Sequence, residues 1–485
     1  MESPQSQKKP GKRILFINPA KADNFFVYRI HMGFTLLGDI LVKKGHQVQI
    51  VDYAFLQSFK DKIRVPTVDE IIKDFSPDMI GICVFTYCYD ECQSLIDHIA
   101  RLYNLPIILG GPHLTSFPED FVNDSRVSYI VMGEAEKVIV DLVESAKSEA
   151  KPVIITCPRP AVDDIPAVNL AIAYGSDLLN AYQIQLSRGC PYRCVFCNVK
   201  HIAGQQVRAR DVQTCVAQIA EAVRTHPAIN TIFITDDCPT FDMGRFKLFL
   251  KLFARAQTGC NIWIDNLRAN LIDEELIQLY KEAGGMNICL GVESGDPKIF
   301  ETINKGESLA DIIEAARLIK KYKLELGLCF VIGLPNDNLS SHKISMKFAK
   351  TLKPDYIFWN MCVPWPNTDV YQWFKQHGEI GRPHNFSTLI DPQANFKEPV
   401  CSSIDFSKED RIKAWLLANM ETHNYFTKPD AFPKLIVSAF RYKLFQYVLI
   451  YSLKYLQSRI RYYKNRIIQI CASNLFHSKS ARLDD

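Results

Sequence analysis

The chain has 485 residues, 47% hydrophobic and 23% charged, a balance that excludes an intrinsically disordered protein and predicts packed cores in two or three domains. A formal net charge of +4 is too small to argue for nucleic acid as the partner. The polar, lysine-bearing Met1–Arg13 segment lacks the apolar core of a secretory signal, and no run reaches the roughly 18 apolar residues of a spanning helix. The reading is therefore a cytoplasmic protein, whose 15 cysteines serve as core residues, metal ligands or catalysts rather than disulfides.

From Arg13 to about Lys147, β-rich runs alternate with helical patterns. Strands are predicted at Ile14–Asn18, Val48–Val51, Met79–Phe85, Ile107–Leu109 and Tyr129–Met132, with helices such as Phe34–Lys44 and Glu91–Tyr103 between them. Such alternation predicts an α/β domain over 1–150 with a parallel, doubly wound sheet and its ligand at the strand carboxyl ends. Those ends carry Asn18-Pro19, Gly110-Gly111-Pro112-His113 and Gly133-Glu134. Cys83, Cys88 and Cys92 are spaced like metal ligands, but the first sits in an apolar strand and the last in a helix, so they read as core.

Residues 151–180 hold Pro152, Pro158, Pro160 and Pro166 without a clear period and read as a surface linker. A second alternating array spans 181–394. Its strands are predicted at Gln183–Ser187, Thr231–Thr235, Asn261–Asp265, Asn287–Gly291, Gly327–Val331 and Tyr356–Asn360, with helices such as Val212–Thr225, Asp273–Ala283 and Leu309–Tyr322. Six β/α units predict a partial (β/α)6 TIM barrel whose site lies at the strand carboxyl ends. Residues 395–485 read as a helical, basic C-terminal region. Between Ala431 and Leu483 there is no Asp or Glu, while Lys434, Arg441, Lys443, Lys454, Arg459 and Arg466 alternate with tyrosines and phenylalanines. That pattern suits peripheral contact with an anionic membrane face; nucleic acid is the weaker reading, and a helical cap with a solvated basic face the plain one.

The strongest local signal is Cys190-Pro-Tyr-Arg-Cys194-Val-Phe196-Cys197, directly after the first strand of the second array. Intervals of three and two residues let one tight loop aim three thiolates at a single iron–sulfur cluster, with Gly189 and Pro191 making the turn and Arg188 adding positive charge. A [4Fe–4S] cluster normally takes four thiolates, so three leave one iron open, as catalytic metal sites keep a position open. Zinc is the rival reading, with His201 the nearest further ligand but outside the usual spacing.

This loop resembles the hallmark of the radical SAM superfamily, CxxxCxΦC with an aromatic Φ, here Phe196. The resemblance implies that Cys190, Cys194 and Cys197 hold a [4Fe–4S] cluster and that S-adenosylmethionine chelates the open iron. One electron, from a donor such as flavodoxin or ferredoxin, then breaks the sulfonium to give a 5′-deoxyadenosyl radical that abstracts hydrogen from an unactivated C–H bond. Further segments are similar to the family's in order: Thr235-Asp236-Asp237, Arg268, Gly291-Val292-Glu293-Ser294-Gly295 and Val331-Ile332-Gly333-Leu334-Pro335. They imply S-adenosylmethionine contacts at Asp236, Asp237, Arg268, Glu293, Ser294 and Gly333. Two departures are Asn336-Asp337, where relatives often have Gly-Glu, and Asn367 in a Pro-Gly-Thr-like position.

The N-terminal domain resembles the Rossmann-like (flavodoxin-like) cobalamin-binding domain of the B12-dependent members of that superfamily. Gly110-Gly111-Pro112-His113, Pro118-Glu119 and Gly133-Glu134-Ala135-Glu136 match its GGPH, PE and GEGE segments, with Ala135 for the middle glycine. Cobalamin contacts are thereby implied at Gly110, Gly111, His113, Gly133 and Glu134, where small residues and helix N-termini let a corrin approach the backbone. The axial-histidine motif DxHxxG is missing, and His31, a lone histidine near the first loop, reads as structural. The implied function is methylation of an unactivated carbon of a small-molecule or lipid-like substrate. Radical cyclisation, oxidation or ring contraction without methyl transfer is the alternative, and a non-catalytic cobalamin sensor or scaffold a third.

Overall fold

The computed structural model describes residues 11–19, 29–161, 165, 167–381 and 399–422. Short apolar runs build its first sheet: β1 (Arg13–Asn18), β2 (Gln47–Asp52), β3 (Met79–Cys83), β4 (Ile107–Gly110), β5 (Tyr129–Met132) and β6 (Val153–Thr156). All six pair in parallel, in the order β2-β1-β3-β4-β5-β6. Every residue of β3 is buried, which is why it reads as a continuous apolar run rather than an alternating one. The strand order reverses at β1, between β2 and β3, and that is where a doubly wound sheet opens a crevice for a ligand.

The sixth strand lies in the proline-rich segment expected to be irregular. Val153 and Ile154 are 42% and 48% exposed, so β6 is held at the sheet edge by its backbone and shows no burial period in the sequence. The same segment then reaches the opposite edge, where Ile50 in β2 donates to Ile172 O (2.9 Å) and accepts from Tyr174 N (2.8 Å). The linker is thus a strap from one margin of the sheet to the other.

The second array contains β7 (Ala181–Ile184), β8 (Ser187–Arg188), β9 (Arg208–Ala209), β10 (Thr231–Ile234), β11 (Asn261–Leu267), β12 (Gly285–Glu293), β13 (Glu325–Ile332) and β14 (Tyr356–Met361). Six of these form a parallel sheet in chain order, β7-β10-β11-β12-β13-β14, the open barrel expected. Side-chain caps start its helices: Asp211 accepts from Thr214 N, Asp242 from Arg245 N, Asp273 from Leu276 N and Ser308 from Asp311 N. Each such cap is worth about 1 kcal/mol and fixes where a loop ends, hence where the strand-end residues sit.

In the C-terminal region a short strand is described ahead of the helix. Cys401–Ser403 (β16) pairs antiparallel with Gly378–Ile380 (β15) before the helix Lys408–Thr422 begins. That helix closes the barrel side: Ala414 O meets His342 Nε2 at 3.0 Å, and Thr422 Oγ1 accepts from Trp359 Nε1 at 3.2 Å. Among the described residues no helix is long and apolar enough to cross a membrane. The basic, aromatic stretch from Lys434 to Arg466 lies outside the described residues.

Candidate active site

The cysteine loop is tied at both ends. Its base is the two-residue antiparallel pair β8–β9, and Cys190 N donates to Gly204 O at 3.0 Å. Gly189, at φ +95°, admits only glycine there, because a Cβ would stand 2.6 Å from Gln206 O. On the far side Val195 N donates to Ile303 O (3.1 Å) and Val195 O accepts from Val370 N (3.2 Å), while the Phe196 ring packs against the core. Cys190, Cys194 and Cys197 are partly buried free thiols. The Cys238 thiol and the backbone N–H of Tyr192 hold Cys190 below the ordinary thiol range, whereas burial pushes Cys194 and Cys197 up. Arg268 and Lys305 partly offset that rise at Cys194, the electrostatics an anionic cluster needs. Among the described residues no three of His, Cys, Asp and Glu converge on a single-ion site. Cluster thiolates bind different irons and stand further apart than the ligands of one ion.

Several strand-end residues expected to face S-adenosylmethionine are spent on the fold. Asp236 is 1% exposed and accepts from Leu186 N (2.6 Å) and Ser187 Oγ (2.5 Å), pinning the strand end before the cysteines; burial raises it to about 7. Ser294 is buried against Ser345 (3.2 Å) and accepts from the N–H of Asp296, the residue that caps the next helix. Gly333, at φ +84°, donates to Asp337 and accepts from Arg411 Nη1 at 3.0 Å; a Cβ there would collide with that guanidinium. Asp237 accepts from Gly189 N at 2.8 Å and stays at the cavity wall.

Arg268 and Glu293 do come together, through a residue that no motif revealed. Lys305 bridges Glu293 (3.2 Å) and Glu307 (2.7 Å) and also donates to Gly291 O. Its own carbonyl accepts from Arg268 Nη2 at 2.5 Å, and the Arg268 guanidinium lies 3.5 Å from the Tyr192 ring centre in the cysteine loop. Arg268 is 7% exposed and its Nε has no partner, an orphaned buried donor suited to a carboxylate. The thiol set, this donor and Glu293 therefore fit a cluster with an amino-acid-bearing ligand beside it.

The two departures from the family pattern also resolve. Asn336 has φ +63° and Asn367 φ +66°. Asparagine is the non-glycine residue that most readily takes this conformation, so each stands in for glycine without changing the loop.

Between the two sheets lies a cavity of about 370 Å³ at the β1/β3 switch point. Gly110, Gly111, Gly133 and Glu134 line it from the first domain, and Gln185, Arg188 and Asp237 from the second. Arg188 does not sit free beside the cluster loop: it pairs with Glu134 (2.7 Å) and Glu136 (2.6 Å), and Arg208 pairs with Glu134 (2.5 Å). The Gly133–Glu136 segment thereby clamps the cobalamin-type domain onto the base of the cysteine loop. Ala135 occupies a short helical turn that needs no positive φ, which explains the missing glycine.

His113 has a partner within the fold at each ring nitrogen. It is fully buried, with Nδ1 at 3.0 Å from Thr86 Oγ1 and Nε2 at 3.0 Å from Asp120, and it does not line the cavity. His31, read as structural, does line it: Nδ1 caps the helix Met32–Lys43 by accepting from Phe34 N (3.1 Å), and Nε2 meets Cys83 Sγ at 3.2 Å. Burial lowers His31 to about 4, so the ring is neutral. Phe16, Phe34 and Gly81 complete an apolar slot that sequence reading missed; a glycine inside the apolar strand β3 was its one signal. Cys83, Cys88 and Cys92 are core, with Cys88 and Cys92 sulfurs 3.7 Å apart.

The two glycines of the first cradle differ. Gly111, at φ +110° and ψ 169°, is a backbone requirement, since a Cβ would meet Val84 O at 2.7 Å. A Cβ on Gly110 would meet nothing within 4 Å and so would project into open space at the cavity. Gly110→Trp should therefore weaken cobalamin binding about tenfold or more in absorbance titrations, with circular dichroism unchanged. Gly111→Ala should instead cost about 1–3 kcal/mol of stability, read as a lowered thermal midpoint.

Comparison with known proteins agrees with this layout. Residues 27–143 match the model of the B12 binding domain, and residues 184–349 that of the radical SAM superfamily. An uncharacterised methyltransferase of Pyrococcus horikoshii is 27% identical over 69% of this chain and 76% of its own length. The hopanoid C-2 methylase of Rhodopseudomonas palustris is 23% identical over 78% of this chain and 73% of its own. An anaerobic magnesium-protoporphyrin IX monomethyl ester cyclase of Cereibacter sphaeroides is 24% identical over 71% of this chain, which spans 61% of that protein. Among solved structures, the radical S-adenosylmethionine methyltransferase TsrM of Kitasatospora setae superposes with a TM-score of 0.63 at 17% identity, covering 85% of this chain and 89% of its own. The chain belongs to the radical SAM superfamily, in its cobalamin-dependent class, and its cofactors are a [4Fe–4S] cluster, S-adenosylmethionine and cobalamin.

Proposed function

We propose that this radical SAM enzyme methylates an unactivated carbon. The observation that carries the reading is the cavity at the B12-domain switch point, walled on its second side by residues at the base of the cysteine loop. When bound, the cluster and S-adenosylmethionine supply a hydrogen-abstracting radical and cobalamin supplies a transferable methyl group.

The chain's own part is to hold and shield. Cys190, Cys194 and Cys197 would ligate the cluster, on a loop that Asp236 and Gly189 fix at its base. Arg268, with its unpartnered Nε, and Glu293, held by Lys305, would orient the amino-acid end of S-adenosylmethionine. Gly110, Gly133 and the Phe16–Phe34 slot would seat the corrin and its nucleotide tail, and the Glu134–Arg188–Arg208 clamp would set its distance from the cluster loop. A one-electron reductant is required from outside the chain.

The similarity to ester cyclases favours one rival, radical cyclisation without methyl transfer. Anaerobic turnover with methyl-deuterated S-adenosylmethionine and an extract of candidate metabolites separates the two. Methylation requires both 5′-deoxyadenosine and S-adenosylhomocysteine, with label in a new product. 5′-Deoxyadenosine without S-adenosylhomocysteine or label would overturn methylation in favour of the cyclase reading, and neither product would overturn catalysis itself.

A further inference from the structure

A second cavity, of about 480 Å³, lies beside the first and shares Phe85, Pro112 and Ile202 with it. Its walls come from four places: the loop after β3, the short helix after β4, the segment directly following Cys197, and the end of β14 with the chain leaving it. All four are carboxyl ends or site loops of the two sheets, where such folds bind what they act on. Its size is that of an ordinary small-molecule site.

The chemistry of the wall is one-sided. Phe85, Tyr87, Val199, Met361, Val363 and Trp365 dominate it, and among the described residues no Asp, Glu, Lys, Arg or His lines it. A charged group brought here would lose its water and gain no counter-charge, a large penalty. Uncharged hydrocarbon would gain from every apolar contact.

Thr86, Ser116, Asn198 and Asn360 add polar atoms to it, and one of these residues is buried with an unpartnered atom. Asn198, next to the cluster ligand Cys197, is 8% exposed and lines the cavity. Its Nδ2 is spent on Ser116 Oγ at 2.9 Å, while its Oδ1 has no partner. With His113 Nε2–H turned to Asp120 (3.0 Å), the Thr86 hydroxyl donates to Nδ1 (3.0 Å) and its proton is not free for Asn198. A buried amide oxygen without a donor is costly and calls for one from a ligand.

We propose that this second cavity is the substrate site and takes an uncharged, mainly hydrocarbon molecule anchored by one neutral hydrogen-bond donor, such as a hydroxyl, at Asn198. The proposal rests on the enzymatic reading above and narrows its substrate class: phosphorylated, nucleotide-linked and carboxylate substrates are excluded. Asn198 is a binding residue in this scheme, and its position beside Cys197 sets the anchored end of the substrate next to the cluster loop.

The test is competition against Nile red bound to the full-length, anaerobically reconstituted protein. The competitors are a C15 isoprenoid alcohol, the matching carboxylate at pH 8 and the parent hydrocarbon. The alcohol should displace the dye at about tenfold lower concentration than the carboxylate. Asn198→Leu should erase the alcohol's advantage over the hydrocarbon while leaving displacement by the hydrocarbon itself. Val363→Glu should weaken the alcohol and the hydrocarbon alike, which keeps the test decisive if the Asn198 variant does not fold.

Equal or better binding of the carboxylate, no displacement by any of the three, or an alcohol advantage that survives Asn198→Leu would overturn the substrate class. 5′-Deoxyadenosine formation is followed in the same preparation. Cleavage of S-adenosylmethionine without the alcohol preference defeats this inference alone. The preference without cleavage defeats the enzymatic reading on which it rests.

Discussion

Alanine at Cys190, Cys194 or Cys197 is expected to abolish the broad visible absorbance of the reconstituted cluster and all reductive cleavage of S-adenosylmethionine. The loss is complete rather than partial because a four-iron cluster held by three thiolates has no spare protein ligand. The neighbouring thiol of Cys238, in contact with Cys190, supplies the matched control. It is 2% exposed and lies outside the loop, so Cys238→Ser should keep the absorbance band and the 5′-deoxyadenosine product. Full turnover by a protein lacking all three loop cysteines, or loss of the cluster only on changing Cys238, would contradict the ligand assignment.

Lys305→Met is expected to have the largest effect on stability, about 3–5 kcal/mol, because it strands the buried carboxylates of Glu293 and Glu307. Replacing all three, as Lys305→Met with Glu293→Gln and Glu307→Gln, should recover much of that loss, since no orphaned charge remains. Burial alone would lower the Lys305 pKa, but Glu293 and Glu307 outweigh it and hold the ammonium above its ordinary 10.5. A raised cation contributes stability that is complete below its unfolded value and lost as pH climbs through the folded one. The gap in thermal midpoint between wild type and Lys305→Met should therefore narrow as pH falls, because the carboxylates stranded in the variant take up protons, and close again in strong alkali as the wild-type ammonium is lost. A gap that widens on acidification would point to a different partner. Because Glu293 is placed by Lys305, affinity for S-adenosylmethionine should fall in the same variant.

How much of this was legible in the sequence follows from what each signal depends on. The parallel strands were, because strands covered on both faces are continuous apolar runs with capped helices between them. The cysteines were, because their spacing is itself the chemistry. β6 was not, since an edge strand with half-exposed side chains has no burial period to read. Asp236, Ser294 and His113 look in sequence like any polar residue at a strand end, yet each turns its polar atoms to loop backbone or a neighbouring side chain. Lys305 and Glu307 had no signal at all, because they meet Glu293 and Arg268 only once the chain after β12 folds back over the strand ends. Asn198 was hidden by the motif beside it, which draws attention to the three cysteines and away from the next residue.

The strap across the first sheet has a practical consequence for dissecting the protein. Both margins of the first sheet are occupied by residues 153–174, so a fragment ending near residue 150 would leave β5 and β2 with open rows of backbone donors and acceptors. Such bare margins recruit other chains, and the fragment would be expected to self-associate before it could report on corrin binding. A cut placed after Tyr174 retains both seams but still severs Glu134 and Glu136 from Arg188 and Arg208. The vitamin-binding half is therefore best isolated with the strap kept and those two acids neutralised, and its behaviour in isolation would measure how much of its shape is lent to it by the other half.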